Sequence, residues 1–283
     1  MPRAGHLASS GVVSGIVGPG PDGAVLARTG SMGDKERVSA DRVPPARSFD
    51  RTAIEYDRGR PGWPHAAIDL LDLDPASSVV DLGAGTGKLT SVLCDRFSGR
   101  VWAIEPLDAM RGLIAHTAPR AEALAGTAEA IPLADDGADA VFAGQAFHWF
   151  ELDRAVAEIA RVLRPGGTVA LLWNRPDPDR PSPLPAAYRA RFDELRHEVR
   201  LPEVDARAAV EGGPFGPMSE ATVANEQVSS RADVLAFAVS QSWIACRPAG
   251  ERERLLAELG ELLPNRCYRF PLVTDVLWAI PAK

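Results

Sequence analysis

The chain has 283 residues, 46% of them hydrophobic and 24% charged, a balance that suits a globular protein able to bury a sizeable core. A formal net charge of −7, with no Lys/Arg-rich block to offset it locally, argues against nucleic acid as the main partner and favours small-molecule chemistry. Cys94, Cys246 and Cys267 are odd in number, widely spaced and without a Cys-x-x-Cys pair, so neither a disulfide framework nor a zinc site is suggested and a reducing cytoplasm fits best.

Residues 1–46 read as a disordered Gly/Ser/Pro-containing extension with too little apolar surface to fold. Leu7 to Gly18 is mildly apolar behind Arg3, but Gly11, Gly15 and Gly18 make a poor signal-peptide core. No stretch is long and apolar enough to cross a membrane, and Met32 stands as an alternative start. Order is expected from Arg47-Ser48-Phe49-Asp50 onward, with Phe49, Ile54 and Tyr56 as the first anchoring side chains. A basic, turn-prone stretch follows (Arg58, Arg60, Pro61, Gly62, Trp63). Pro64 then opens a helix that Ala66, Ile68, Leu70 and Leu71 carry to about Leu73, where Asp74-Pro75 ends it.

Residues 79–90 are the most informative stretch. An apolar run, Val79-Val80-Asp81-Leu82, stops at Gly83-Ala84-Gly85-Thr86-Gly87, and apolar positions then recur at helical spacing at Leu89, Val92, Leu93 and Phe97. That is a strand, a tight turn and a helix, with glycines where a ligand can approach the backbone closely. A dinucleotide fingerprint would need its third glycine at Lys88. A P-loop would need glycine at Leu82 and Ser or Thr at Leu89. What remains is Gly-x-Gly-x-Gly behind an acidic residue, shaped for a nucleoside ligand without a pyrophosphate, or else an ordinary glycine-rich turn.

Ser98-Gly99 breaks the helix, and Val101 to Ile104 forms a second buried strand ending at Glu105, about twenty positions beyond the loop. A Rossmann-like fold brings that strand tip beside a bound ribose, whose hydroxyls a carboxylate can accept hydrogen bonds from. The alternative is a solvated acid at a strand end. Asp108 is expected to cap a helix through Ala115 with Met110 and Leu113 turned inwards. A third strand is expected at residues 122–125 and a fourth at 137–143, opening into Gly144-Gln145-Ala146-Phe147-His148-Trp149-Phe150. Large aromatic and polar side chains just past a buried strand suggest a pocket wall. From Glu151, Leu152, Ala155, Val156, Ile159, Val162 and Leu163 keep the spacing of one buried helix face until Arg164-Pro165-Gly166-Gly167, and residues 168–173 make a fifth strand. The alternation over residues 64–174 calls for a parallel sheet with helices on both faces.

After Asn174 the pattern changes. A Pro/Asp-rich stretch covers 175–185, and a polar helix is expected at 186–199, a Gly/Pro loop at 211–217 and a strand at 221–228. Helices follow at 231–245 and 250–262, and residues 267–270 and 272–280 read as strand. These helices fall where they can roof the carboxyl-end crevice.

Taken in order, residues 79–88, Ala103-Ile104-Glu105-Pro106, residues 126–132, residues 145–150 and residues 160–167 resemble a class I S-adenosylmethionine-dependent methyltransferase. The likeness is to the small-molecule branch that includes trans-aconitate and quinone-biosynthesis methyltransferases. It is strong over about residues 48–174 and holds only in outline from Pro185 onward. The resemblance implies an α/β, Rossmann-like, doubly wound seven-stranded sheet, mostly parallel with an antiparallel last strand, plus a helical cap. Residues 47–283 would form the methyltransferase domain, with 47–174 as the cofactor-binding core and 175–283 as cap helices and last strands.

The same resemblance implies S-adenosyl-L-methionine as cofactor and a small-molecule methyl acceptor. Gly83, Gly85 and Gly87 would pass under its methionine portion, with Asp81 near its amino group. Glu105 would hold the ribose hydroxyls and Pro106 and Met110 would flank the adenine. Ala128 and Glu129 would contact the adenine's polar edge, although the family often carries Asp where Thr127 stands. Gln145 would line the methionine end. Tyr56 and Arg60 resemble a segment that closes over the cofactor, and Phe147 and Trp149 would border the acceptor, unless these four are packing residues and a surface charge. His148 has a suitable unperturbed pKa for a base, if the acceptor needs one, against a structural role at the helix entrance. Two other classes stay open: a non-catalytic cofactor-binding regulatory protein and, more distantly, an NAD-dependent oxidoreductase.

Overall fold

Strand β1 (Val79–Leu82) is buried along its whole length. It pairs in parallel with β2 (Val101–Ile104) on one side and β4 (Ala138–Gly144) on the other. The computed structural model describes residues 53–197 and 204–281; the expected extension at 1–46 and the anchor Phe49 lie outside them. β3 (Glu122–Leu124) extends the sheet beyond β2, β5 (Leu163–Pro176) beyond β4, and β7 (Tyr268–Ala279) lies antiparallel between β5 and β6 (Ser219–Ser229). The order is β3-β2-β1-β4-β5-β7-β6, the expected seven strands with the last one antiparallel. The sequence direction reverses between β1 and β4, and a crevice outside their carboxyl ends is where open α/β sheets bind ligands.

Alternation along each strand divides the core between the two faces of the sheet. Val80, Leu82, Val141, Ala143, Val169 and Leu171 face one cluster, completed by α5 (Leu152–Val162) through Ala155, Val156 and Ile159. Val79, Ala140, Phe142, Ala170 and Leu172 face the other, against α2 (His65–Asp69) and α3 (Lys88–Arg96). A third cluster, around Tyr188, Trp243, Ile244, Leu259 and Tyr268, is the cap's own core.

The cap helices are α6 (Ala186–His197), α8 (Arg231–Val239), α9 (Ser242–Ala245) and α10 (Ala249–Glu261). Ser230 and Asp233 start α8 with a reciprocal capping box. The expected helix over 231–245 is two helices, because the chain turns at Ser240 and Gln241 before α9. A short helix, α7 (Ala206–Glu211), capped by Asp205, was not expected in the stretch before the Gly/Pro loop. The two late strand segments are one strand through Pro271. That residue pairs with Glu226 of β6 and lies just past the last β5 partner, Leu272, while its carbonyl accepts from Asp177 N–H. N–H and C=O of one residue point to the same side of a strand, so the missing N–H faces Asp177, just past the end of β5, and costs the β6 pairing no bond.

Three local expectations are corrected. α2 stops at Asp69 and Asp72 turns with φ +46°, so the helix does not reach Leu73. Ile54, in α1 (Ala53–Gly59), is 73% exposed and anchors nothing among the described residues. Asp108 is the first residue of α4 (Asp108–Thr117) and not its cap, which is Leu107; its carboxylate pairs with Arg111 instead. Among the described residues, no helix is long and apolar enough to cross a membrane.

Candidate active site

The glycine loop joins β1 to α3 at the sheet's carboxyl end. Gly83, Gly85 and Gly87 have φ of +72°, +57° and +90°, all in the left-handed region that side chains with a Cβ rarely adopt. Each has a different neighbourhood. A Cβ at Gly83 would lie 2.6 Å from that of Ala146, so the loop passes hard against the end of β4. A Cβ at Gly85 would meet Met110 Sδ and Tyr56 Cε1 at 3.9 Å, in ordinary van der Waals contact and without a clash. Gly87 caps α3 and its position is in contact with Ile114. The N–H groups of Gly83 and Ala84 both donate to Ile104 O, binding the loop to the tip of β2.

Glu105 follows that tip. It is only 5% exposed; Oε2 accepts from Gly85 N–H at 2.8 Å and Oε1 from Leu107 N–H at 2.9 Å. A buried carboxylate is thus held by backbone donors directly at the crest of the loop. Met110 is buried against Ala53, Tyr56, Leu107 and Trp149, and Pro106 is exposed at the mouth.

Asp81 lies beneath this loop, 1% exposed, with Oδ2 accepting from Thr90 Oγ1 at 2.6 Å. Burial pushes its carboxyl up to about 7, reinforced by the neighbouring Glu105 charge and opposed by the Thr90 hydrogen bond. Thr86 Oγ1, between Gly85 and Gly87, is buried with no hydrogen-bond partner among the described residues.

β4 ends on Gln145, whose φ of +54° is a strained value for a residue with a Cβ. Its N–H donates to Leu172 O and its Nε2 to Asn174 O at 2.8 Å, fastening it to the end of β5. His148, in the 3-10 turn Phe147–Trp149, is half-buried beside Trp149, ring centroids 5.0 Å apart. Burial, and then the Arg60 charge, push its imidazole down to about 4, so the ring is neutral at neutral pH. Arg60 leaves the end of α1, where Gly59 packs so closely on α8 that a Cβ there would lie 2.2 Å from Phe237 N.

Not every expected side chain reaches the crevice. Phe147 is completely buried, edge-to-face with Phe150 in the sheet core, so it presents no face to an acceptor and is corrected to a packing residue. Ala128 is 4% exposed in the same core. Glu129 Oε1 accepts from Glu151 N–H at 2.8 Å at the entrance to α5. Partial burial raises its carboxyl, but that bond, its own backbone N–H, the Thr127 hydroxyl and Arg154 together hold it below the usual range.

Two buried residues without an expected role brace this region, Asn174 and Ser240. Asn174, 4% exposed, donates to Gly62 O at 3.1 Å and accepts from Thr274 Oγ1 at 2.5 Å and Asn225 Nδ2 at 3.0 Å. This network fastens the segment after α1 to β5, β6 and β7. The available signal was an Asn ending the apolar run at residues 169–173. Ser240, which holds Arg60, had no sequence signal, because only the tertiary fold brings residues so far apart together.

Comparison with known proteins agrees with this geometry. Residues 80–171 match a methyltransferase domain model. An uncharacterised methyltransferase of Mycobacterium tuberculosis is 37% identical over 219 residues, 76% of this chain and 85% of that one. A malonyl-[acyl-carrier protein] O-methyltransferase of Methylococcus capsulatus is 41% identical over 101 residues, 34% of this chain and 37% of that one. A solved structure from Anaeromyxobacter dehalogenans, described as a type II methyltransferase, superposes with a TM-score of 0.56 at 26% identity, covering 78% of this chain and 97% of that one. The fold, the glycine loop with its acidic strand-end partner, and identity extending over most of both chains show that this chain belongs to the class I S-adenosylmethionine-dependent methyltransferases.

Proposed function

We propose that this protein transfers the methyl group of S-adenosylmethionine to a small organic acceptor. The observation that carries the reading is the buried Glu105 carboxylate clamped to Gly85 N–H, in a loop whose three glycines are all left-handed. The residues fit the cofactor. Left-handed glycines let a ligand lie on the backbone, Thr86 offers an unpartnered buried hydroxyl, and the Glu105 carboxylate beside the loop would accept from the ribose hydroxyls. Gly83, Gly85, Gly87 and Asp81 would hold the methionine portion, Glu105 the ribose, and Pro106 and Met110 the adenine, with only the backbone of Ala128 and Glu129 at its polar edge and Gln145 at the methyl end.

When bound, the cofactor supplies a methyl group already activated by its sulfonium. The protein's contribution is therefore alignment and exclusion of water. Tyr56, Met110 and Trp149 pack together over the loop and shield it. The negative net charge supports a small organic acceptor over nucleic acid.

Two measurements test the reading. Calorimetry should give binding of S-adenosylhomocysteine and none of NAD; the reverse would end the cofactor assignment. Incubation with methyl-labelled S-adenosylmethionine and cell extract should place label in the low-mass fraction. Label confined to protein or nucleic acid, or no transfer at all, would refute a small-molecule acceptor.

A further inference from the structure

β6 forms one edge of the sheet, and it is long and regular. All 11 residues of Ser219–Ser229 pair with β7 in a single antiparallel register without a bulge. The opposite edge, β3, has only 3 residues. Natural sheets blunt their edges with short strands, bulges, proline or lysine, because a row of open N–H and C=O groups invites another strand. β6 contains neither proline nor lysine.

Pro271 identifies which backbone groups are open. Its carbonyl accepts from Asp177 N–H on the β5 side, so it turns its backbone away from its β6 partner, Glu226. Opposed residues of an antiparallel pair either bond each other or both face away. Glu226 therefore faces outward and, by the alternation of a strand, so do Glu220, Thr222, Ala224 and Val228. Glu226 N–H is taken by Asn225 Oδ1 at 2.8 Å; among the described residues, no bond reaches the other edge groups of these five. Their side chains are exposed as well, Val228 by 56%. Val223 and Asn225, on the opposite face, pack on the core and bond Gly62 O respectively, so the strand is held firmly while its edge stays open.

The strand is complementary to itself. An axis through Ala224, the midpoint of β6, opposes its whole length to a second copy. Ala224 then meets Ala224, Thr222 meets the second copy's Glu226, and Glu220 meets the second copy's Val228. The residue on the axis is small and no like charges meet. Each glutamate is also matched on its own chain, Glu220 by Arg207 and Glu226 by Arg269. An axis one residue away, at Val223, would set Glu220 against the second copy's Glu226, which like-charge repulsion disfavours.

We propose that β6 pairs with β6 of a second copy of this chain, antiparallel about a two-fold axis at Ala224, joining the two sheets into one. A two-fold contact uses the same patch on both subunits and closes on itself, so the assembly stops at a dimer. Light scattering on the full chain, from about 1 to 200 μM, should show a monomer–dimer equilibrium in the affinity range of a small interface. A monomer at every concentration would overturn the proposal.

Three variants test the register. Ala224→Pro removes an N–H that faces outward and so costs β7 no bond; it should fold and be monomeric. Val228→Glu sets like charges against Glu220 at both ends of the pairing and should weaken the dimer about threefold or more, whereas Val228→Arg should hold or tighten it. This pair keeps the test decisive should Ala224→Pro fail to fold. Ala224→Cys should give, on mild oxidation, a disulfide joining position 224 of the two copies, because directly paired Cα atoms about 5.5 Å apart suit that bond. A dimer that persists in folded Ala224→Pro, responds alike to both Val228 variants, or forms no crosslink at position 224 would overturn the proposal.

Discussion

Gly85 N–H donates to Glu105 Oε2 at 2.8 Å, so the crest of the glycine loop and the tip of β2 form one unit although neither strand contributes a ladder bond to the contact. The loop's left-handed glycines set where that N–H points, and Glu105 fixes it there.

Glu105→Ala is therefore expected to weaken S-adenosylhomocysteine by roughly ten- to a hundredfold, since hydrogen bonds to a charged group contribute about 1.5–3 kcal/mol. Part of the loss reflects the loop itself, which loses the acceptor for Gly85 N–H. Glu105→Gln keeps the shape and one acceptor oxygen, and should lose less. Calorimetry on both variants measures the difference, and unchanged affinity in Glu105→Ala would remove the ribose assignment.

The glycines should separate stability from binding. Gly83→Ala combines an unfavourable φ of +72° with a clash against Ala146, so a stability loss of about 2–4 kcal/mol is expected in chemical denaturation. Gly85→Ala has strain of about 1–2 kcal/mol but no clash. Its methyl group enters the space bounded by Tyr56 and Met110, so it should fold and yet bind S-adenosylhomocysteine at least about tenfold more weakly. Equal effects of the two variants on stability and on binding would contradict this division.

Much of this was legible in the sequence because the signals were local. The run from Val79 to Gly87 announces strand, turn and helix within one stretch, and Glu105 ends the next buried run. The α5 face shows the same directness, with Ala155, Val156, Ile159 and Val162 buried as their spacing requires. Side-chain direction was not legible. Phe147 and His148 are neighbours in one turn, yet one is sealed in the sheet core and the other is partly open. The short α7 and the Asn174, Asn225 and Thr274 network depend on contacts between β5, β6 and β7 that no local pattern encodes.

That network predicts a stability effect. Replacing Asn174 with Leu removes one of two donors to Gly62 O, the other being Asn225 Nδ2, and leaves the buried Thr274 hydroxyl without its acceptor. Each buried group left unsatisfied costs about 1–3 kcal/mol. A clear fall in melting temperature is expected, and an Asn174→Leu variant as stable as the native chain would show that the network contributes nothing.

Asp81 should make stability depend on pH. Its folded-state carboxyl is raised to about 7, against an ordinary value of 3.8. Between those values the folded chain keeps a proton that the unfolded chain has released, so this group's contribution to stability declines as pH rises through the window. The full effect above pH 7 is about 4 kcal/mol at most. Asp81→Asn does not titrate and can still accept from Thr90. Its stability should approach that of the native chain near pH 4 and exceed it increasingly toward pH 8. A difference that stays constant across that range would refute the raised carboxyl.

His148 is the candidate base of the crevice. In the free protein its imidazole is pushed down to about 4 by burial and by Arg60, so it is neutral at working pH but a weak base. The pH profile of kcat/KM reports the free enzyme. If His148 is the base, that profile should fall on its acid side with a midpoint near 4, because protonation blocks the base. His148→Gln should then lower kcat by about a hundredfold or more at saturating acceptor and abolish the acid limb. A variant with native turnover and an intact limb would leave His148 as a packing residue beside Trp149, with the proton, where the acceptor has one to lose, going to solvent.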